Sequence, residues 1–177
     1  MKYFRNKTWS ETTREERLFC AELFFEIRKN PIPFLELIGK ENKDYEVAFE
    51  SCFYRDVLKA YGISIKDKGI DLPPKRTFDL ALFAEDEIVI IEAKAKQGFD
   101  SEQLESFEAD FNNIWKLFDI IGENVPKIEI IALCSSRYKP KNATLINFVK
   151  TITWKELIDV YPNGKEMFLR ADEIYND

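Results

Sequence analysis

Two carboxylates and a lysine, Asp79, Glu92 and Lys94, interrupt two strongly apolar segments that flank a short polar turn. If Glu85 and Asp86 lie at the centre of a hairpin turn, Asp79 lies directly opposite Glu92, with about 4.5 to 5.5 Å between their Cβ atoms. Strand alternation places Lys94 on the same face as Glu92. Like charges that face each other destabilise a sheet, and burial adds to the cost. The hairpin therefore indicates a site that needs a cation.

A hard divalent cation, Mg²⁺ or Mn²⁺, would compensate these charges. Oxygen ligands could come from Asp79, Glu92 and the backbone carbonyl of Ala93, with waters and a phosphate oxygen completing an octahedron. Such an ion polarises a phosphate and activates a bound water. Lys94 could orient or deprotonate that water and stabilise the negative charge that develops. The residue types thus predict metal-assisted hydrolysis of a phosphodiester.

The composition excludes several other kinds of site. The 177 residues contain no histidine, which excludes Ser/His and Cys/His nucleophiles and removes the commonest zinc ligand. The cysteines, Cys20, Cys52 and Cys134, are far apart in apolar surroundings, and we interpret them as buried thiols. The formal net charge of -6 argues against strong sequence-independent binding of nucleic acid, so any surface of that kind must be local.

Apolar spacing and capping signals predict the helices and strands that position these residues. Helices are expected over residues 14–28, 34–38, 44–61, 100–121, 142–149, 153–161 and 165–175. Strands are expected over residues 63–65, 76–83, 87–95, 127–136 and 150–152. Both strands of the hairpin are apolar on both faces, which is typical of a sheet covered by helices on either side.

We therefore expect one α/β domain over residues 1–177, with three α/β/α layers, a mixed central sheet and extra helices at both termini. Residues 1–41 would form an N-terminal helical layer, residues 42–135 the core and residues 136–177 a C-terminal helical extension. No internal repeat or linker divides the chain.

The pattern D-x12-E-A-K, from Asp79 to Lys94 on two strands that follow a helix, resembles the motif of the PD-(D/E)XK nuclease superfamily. The likeness extends over roughly residues 44–135 and implies a restriction endonuclease-like core of helix, three strands, helix and strand. A glutamate of the first helix often joins the metal in this superfamily. The resemblance therefore implies Glu50 as a further metal ligand, with Glu46 as the competing choice.

The resemblance also bears on the helix that follows the hairpin. Gln103 matches a glutamine that some branches carry at the start of this helix, which implies a catalytic role, although Gln103 equally fits a capping box with Asp100. The tyrosine that the helicase-associated exonuclease branch has four residues later is Phe107 here. The residue before Asp79 is Phe78 rather than the proline of the superfamily's name.

Basic residues around the hairpin are candidates for contact with a nucleic-acid backbone, and an aromatic side chain among them could stack on a base. The candidates are Lys96, Arg137, Lys139 and Lys141 beside Tyr138, with a further basic rim at Lys66, Lys68, Lys75 and Arg76. Ordinary solvation of a strand end and of loops is the alternative interpretation.

We expect a metal-dependent phosphodiesterase, and the resemblance implies a nuclease acting on DNA more often than on RNA, most simply a DNA endonuclease that works as a homodimer. The alternative is a catalytically inactive nuclease-fold protein that binds or scaffolds a defence or repair complex, which the acidic composition favours. A regulatory domain for a small anionic ligand is a third interpretation. No apolar stretch has the length of a signal peptide or a membrane span, so we expect a cytoplasmic protein without a membrane partner.

Overall fold

The computed structural model describes residues 7–67, 69–139 and 148–176, without the side chains of residues 101–104. The helices are α1 (Glu16–Lys29), α2 (Ile32–Ile38), α3 (Phe53–Ala60), α4 (Ser101–Ile121), α5 (Trp154–Val160) and α6 (Lys165–Glu173), with a 3-10 turn at Pro162–Gly164. The strands are β1 (Glu46–Ser51), β2 (Phe78–Phe83), β3 (Glu87–Ala93), β4 (Lys127–Cys134) and β5 (Lys150–Thr153).

The five strands form one mixed sheet in the order β1-β2-β3-β4-β5. Strand β2 pairs antiparallel with both β1 and β3, whereas β4 pairs in parallel with both β3 and β5. A parallel connection needs a long crossover, and α4 with its 21 residues makes the one between β3 and β4. The mixed α/β architecture, with helices towards both ends of the chain, agrees with the expected fold class.

Helices cover both faces of the sheet, because alternate residues of β3 enter different apolar clusters. Val89 and Ile91 pack in a cluster with residues of α1, α2, α5 and α6, whereas Ile88 and Ile90 pack with residues of α3 and α4. Every residue of β3 is buried. The continuous apolar sequence of this strand therefore reflects burial on both sides.

The prediction of a helix over residues 44–61 is wrong in its first half. Residues 46–51 form β1, which pairs with β2 so that Val47 lies opposite Leu82 and Phe49 opposite Leu80. This pairing brings Val47 and Phe49 against the apolar cluster that contains residues of α1, α2, α5 and α6. Tertiary packing of this kind overrides a local helical pattern. The helix begins only at Phe53.

The expected strand over residues 63–65 is also absent from the sheet. These residues follow α3 as a loop, which begins with a hydrogen bond from the Ile63 amide to the Leu58 carbonyl at 2.9 Å. From this loop, Ile63 and Ile65 pack against the apolar cluster that contains residues of α3 and α4. The alternating pattern Ile63-Ser64-Ile65 therefore reflects two apolar contacts of a loop and not a strand.

The predictions for the C-terminal part are largely confirmed. The capping box that starts α5 is present, with the Thr153 amide donating to Glu156 at 2.7 Å. The helix expected over residues 142–149 lies outside the described residues, apart from Phe148 and Val149, which are not helical. Among the described residues, none of the helices combines the length and the apolar character that crossing a membrane requires.

Candidate active site

The β2–β3 hairpin brings Asp79 and Glu92 to the same level of the sheet. Leu80 pairs with Ile91 and Ala81 with Ile90, which is the register expected from the turn, and Asp79 and Glu92 are the next residues of the two strands. A carboxylate oxygen of Asp79 accepts a hydrogen bond from the Ala93 amide at 2.8 Å. The turn also forms where expected, with the Ala84 amide donating to the Glu87 carbonyl at 2.9 Å. The predicted register of the hairpin is therefore confirmed.

Neither carboxyl group of the pair is fully compensated by its surroundings. Glu92 is only 6% exposed, and burial raises its pKa to about 8 against the opposing effect of Arg76. Burial also raises the pKa of Asp79, which the hydrogen bond from Ala93 partly offsets. The charge of Asp79 adds to the upward shift of the Glu92 pKa, so the two groups interact. Burial thus disfavours the charged form of both groups, an effect that a bound metal cation would oppose.

Glu16 is a third carboxylate at this end of the hairpin, and sequence reasoning missed it. As the first residue of α1, it accepts hydrogen bonds from the Ala95 amide at 2.8 Å and from the Lys94 ammonium at 3.3 Å. The Lys94 side chain is 12% exposed, so this ion pair is largely shielded from water. The signal for Glu16 is a glutamate at the start of the first helix of the chain, whereas the resemblance assigns the metal-binding helix to residues 44–61.

Lys94 is also fixed through its backbone. The Trp154 indole nitrogen donates to the Lys94 carbonyl at 2.9 Å, and the Lys94 amide donates to the Leu133 carbonyl at 2.7 Å. Trp154 is fully buried. Side chain and main chain of Lys94 are therefore both held, which favours a defined position for its charge.

Glu50 and Glu46 lie on β1 and not on a helix, so the structural basis for choosing either as a helix ligand is wrong. Glu50 has a left-handed backbone (φ 51°) and pairs with Arg17 at 2.6 Å. Its charge nevertheless contributes to the raised pKa of Asp79, after burial and nearer groups. Glu46 pairs with Phe83 at the turn end of β2, about 13 Å along the strand from the level of Glu50. Glu46 is therefore remote from the hairpin site.

Arg76 is a partly buried partner of Glu92, not part of an exposed basic rim as the sequence suggested. Its guanidinium donates to Glu92 at 2.7 Å, to Asp110 at 2.8 Å and to the Thr77 carbonyl at 3.0 Å. Tyr54 donates to the other oxygen of Asp110 at 2.7 Å. Burial opposes the charge of Arg76, but Glu92 and Asp110 outweigh burial and raise the pKa of Arg76.

Sequence reasoning also missed Asp110. It lies 2% exposed on the apolar stripe of α4, between the buried Phe107 and Ile114. Burial raises its pKa, and Arg76 and Tyr54 act in the opposite direction. A charged residue at helical spacing within an apolar stripe is the signal that could have identified it, because buried charges are nearly always paired.

Apart from Arg76, the basic residues expected to bind nucleic acid lie at the surface where the structure describes them. Lys96, Lys139 and Arg137 are all exposed, and Arg137 also donates to the Glu173 carbonyl at 2.9 Å. The Lys96 carbonyl accepts from the Asn176 amide at 2.9 Å, so the C-terminal segment contacts both loops. Lys141, Lys68 and the side chain of Gln103 lie outside the described residues; the backbone of Gln103 belongs to the first turn of α4.

The carboxylate oxygens of Asp79, Glu92 and Glu16 lie at the hairpin end, and oxygen ligands of this kind suit a hard cation such as Mg²⁺. Within the described ranges, no three His, Cys, Asp or Glu side chains converge closely enough to form a metal cage. Mg²⁺ is commonly held by one or two carboxylates together with waters and substrate phosphate, so Asp79 and Glu92 fit this mode of binding.

The sequence matches no family model and no curated protein. The likeness to PD-(D/E)XK nucleases therefore depends on the hairpin motif from Asp79 to Lys94. The geometry adds a carboxylate from the first helix, Glu16, beside this motif.

Proposed function

We propose that this protein is a metal-dependent phosphodiesterase that cleaves nucleic acid and has a restriction endonuclease-like core. The observation that supports the proposal most directly is the interacting pair Asp79 and Glu92 beside Lys94. Burial raises the pKa of both carboxyl groups, so their charged forms lack a compensation that a divalent cation would provide. Unfavourable polar clusters of this kind are concentrated at functional sites.

The proposed metal ligands are Asp79, Glu92 and the carbonyl of Ala93, with the helix carboxylate Glu16 beside them as the partner of Lys94. Bound Mg²⁺ or Mn²⁺ would act as a Lewis acid and acidify a coordinated water. The Ala93 amide orients Asp79 through its hydrogen bond. Glu16 holds the ammonium of Lys94 at 3.3 Å, which places a positive charge where negative charge develops on a phosphate. Each group of the motif thus has a separate role.

The proposed substrate is nucleic acid, with DNA as the first choice because of the superfamily resemblance. Exposed Lys96 and Lys139 offer contacts to a phosphate backbone, and Gln103 at the start of α4 is a further proposed catalytic contact. The net charge of -6 weakens binding at moderate salt, so assays belong at low salt. A homodimer would allow cleavage of both strands of a duplex. The proposed location is the cytoplasm.

A cleavage assay tests this function. Purified protein is incubated at low salt with plasmid, single-stranded DNA or RNA, with Mg²⁺, with Mn²⁺ or with a chelator. We expect metal-dependent cleavage that Asp79→Asn and Lys94→Met each abolish. Glu46→Gln is the matched control, because Glu46 lies on the adjacent strand far from the site, and it should retain wild-type activity.

The proposal is wrong if the wild-type protein neither cleaves any of these substrates nor binds Mn²⁺ by calorimetry. Cleavage that persists in both Asp79→Asn and Lys94→Met would show that a contaminant is responsible. Preference among the three substrates would decide between DNA and RNA.

A catalytically inactive nuclease-fold protein that binds or scaffolds other molecules is the second candidate. The observation in its favour is that protein cations already pair with the carboxylates, Arg76 with Glu92 and Lys94 with Glu16. Such a fold needs no metal for stability. Binding of DNA in a mobility-shift assay without cleavage in any metal would favour this candidate.

A further inference from the structure

Arg76 is held by several groups besides Glu92. Its Nε donates to Asp110 at 2.8 Å, and its Nη1 donates to the Thr77 carbonyl at 3.0 Å. The guanidinium carbon lies 4.9 Å from the ring centre of Phe78 and 5.5 Å from that of Phe107. These contacts combine a fixed fork of hydrogen bonds with cation–π contact on two rings. The position of Arg76 is therefore set independently of Glu92.

Displacement of Arg76 from this position would be unfavourable. Asp110 is 2% exposed, and without Arg76 its remaining hydrogen bond would come from the Tyr54 hydroxyl. A buried carboxylate that loses its cation is strongly destabilised. A cation arriving at Glu92 would therefore meet an arginine that stays in place.

The third donating nitrogen of the Arg76 guanidinium is directed at Glu92. Arg76 Nη2 donates to one oxygen of Glu92, Oε1, at 2.7 Å. Glu92 lies in β3, a strand that is buried along its whole length, so water offers little alternative support for its carboxylate. A donor fixed to one carboxylate oxygen defines the direction of the other oxygen as well, since the group is planar.

We infer that Arg76, anchored by Asp110, is a positioning residue that orients Glu92 for the metal centre, an inference that rests on the proposed function. Partners of this kind around metal ligands commonly change metal affinity by about 10–100-fold when they are replaced. The arginine itself touches neither the metal nor the substrate in this arrangement. Its contribution is to keep a buried ligand in one orientation.

Calorimetric titration of Mn²⁺ into the full chain tests the inference. Arg76→Met removes the guanidinium with its hydrogen-bond donors, and Arg76→Lys keeps the positive charge but loses the planar guanidinium. Asp110→Asn removes the negative charge that holds Arg76 and leaves the Glu92 side chain unchanged. We expect the Mn²⁺ Kd to rise about 10–100-fold in Arg76→Met and less in the other two variants. Arg55→Met is the matched control, since Arg55 is exposed and pairs only with Asp56 among the ion pairs of the described residues, and its Kd should equal that of the wild type.

Thermal unfolding of each variant separates loss of the fold from loss of orientation. Titrations are performed well below the lowest Tm, so that every variant is folded. The inference is wrong if Arg76→Lys and Asp110→Asn both bind Mn²⁺ within about twofold of the wild type, or if Arg76→Met binds it more tightly, as a competing cation would predict. A wild-type protein that binds no Mn²⁺ would overturn the proposed function together with this inference.

Discussion

Replacing Glu92 with glutamine tests whether this buried carboxylate destabilises the metal-free protein. Burial raises the pKa of Glu92 to about 8 from an ordinary value of 4.5. The folded protein therefore binds this proton more tightly than the unfolded chain does. The resulting stability is fully present below pH 4.5 and is lost as the pH rises towards about 8. The wild-type protein should become less stable from mildly acidic to neutral pH.

The expected size follows from linkage. One pKa unit corresponds to about 1.4 kcal/mol, so the free energy of unfolding should fall by about 2–3 kcal/mol between about pH 5 and pH 7. With a slope of about 2 kcal/mol per molar urea, the unfolding midpoint would shift by about 1 M. Burial also raises the pKa of Asp79 and of Asp110, and both add a change of the same sign.

Glu92→Gln keeps the shape of the side chain and removes its charge. We expect a flatter pH dependence and a gain of about 1–3 kcal/mol in the free energy of unfolding near pH 8. The assay is urea unfolding followed by tryptophan fluorescence at several pH values, with a chelator present. When the chelator is replaced by Mn²⁺, the wild type should be stabilised but the variant should not, because binding to the folded state raises stability by mass action.

Glu87→Gln is the matched control in the same strand. Burial acts against the charge of Glu87, but Lys40, Tyr45 and Lys43 outweigh it and lower the pKa of Glu87 to about 2. This replacement should therefore reduce stability at neutral pH, opposite in sign to Glu92→Gln. The reasoning fails if Glu92→Gln is less stable than the wild type near pH 8, or if wild-type stability is constant over the range.

Further predictions concern other contacts. Lys40→Met removes an ion pair of 2.6 Å to Glu87 and should cost about 1–3 kcal/mol in urea unfolding at neutral pH, with a smaller loss as the pH falls towards 2. A Cβ on residue 98 would overlap the Tyr138 ring, so Gly98→Ala should cost about 1–3 kcal/mol in thermal unfolding, and most of this loss should disappear in a Tyr138→Ala background. Glu16→Gln should slow cleavage about 10–100-fold while Tm changes little, and an unchanged rate would contradict a role for Glu16.

The hairpin could be predicted from sequence because its signals are local. Two apolar runs, a polar turn at Glu85 and Asp86 and a fixed spacing determine the register of the hairpin, which brings the Asp79 carboxylate against the Ala93 amide. The first strand could not be predicted in this way. Val47 and Phe49 fit a helical stripe as well as an alternating strand, and pairing with β2 decides between the two.

The rest of the candidate site depends on contacts between distant parts of the chain. Glu16 is 78 residues from Lys94 along the chain, and Arg76 is 34 residues from Asp110. A basic residue before a strand resembles any exposed arginine until its partners are known. Sequence reasoning therefore identified the hairpin carboxylates that we propose as metal ligands, whereas the groups that contact them could be identified only from the fold.

The hydrogen bond between the Trp154 indole and the Lys94 carbonyl provides an optical reporter of the site. Trp154 is fully buried, whereas Trp9 and Trp115, the other two tryptophans, are 51% and 63% exposed. Replacing these two with phenylalanine would leave one emitter whose indole N–H donates to the backbone carbonyl of Lys94, the proposed catalytic lysine, at 2.9 Å. Its emission maximum would then follow any change at Lys94 when metal or nucleic acid is added, without an attached dye.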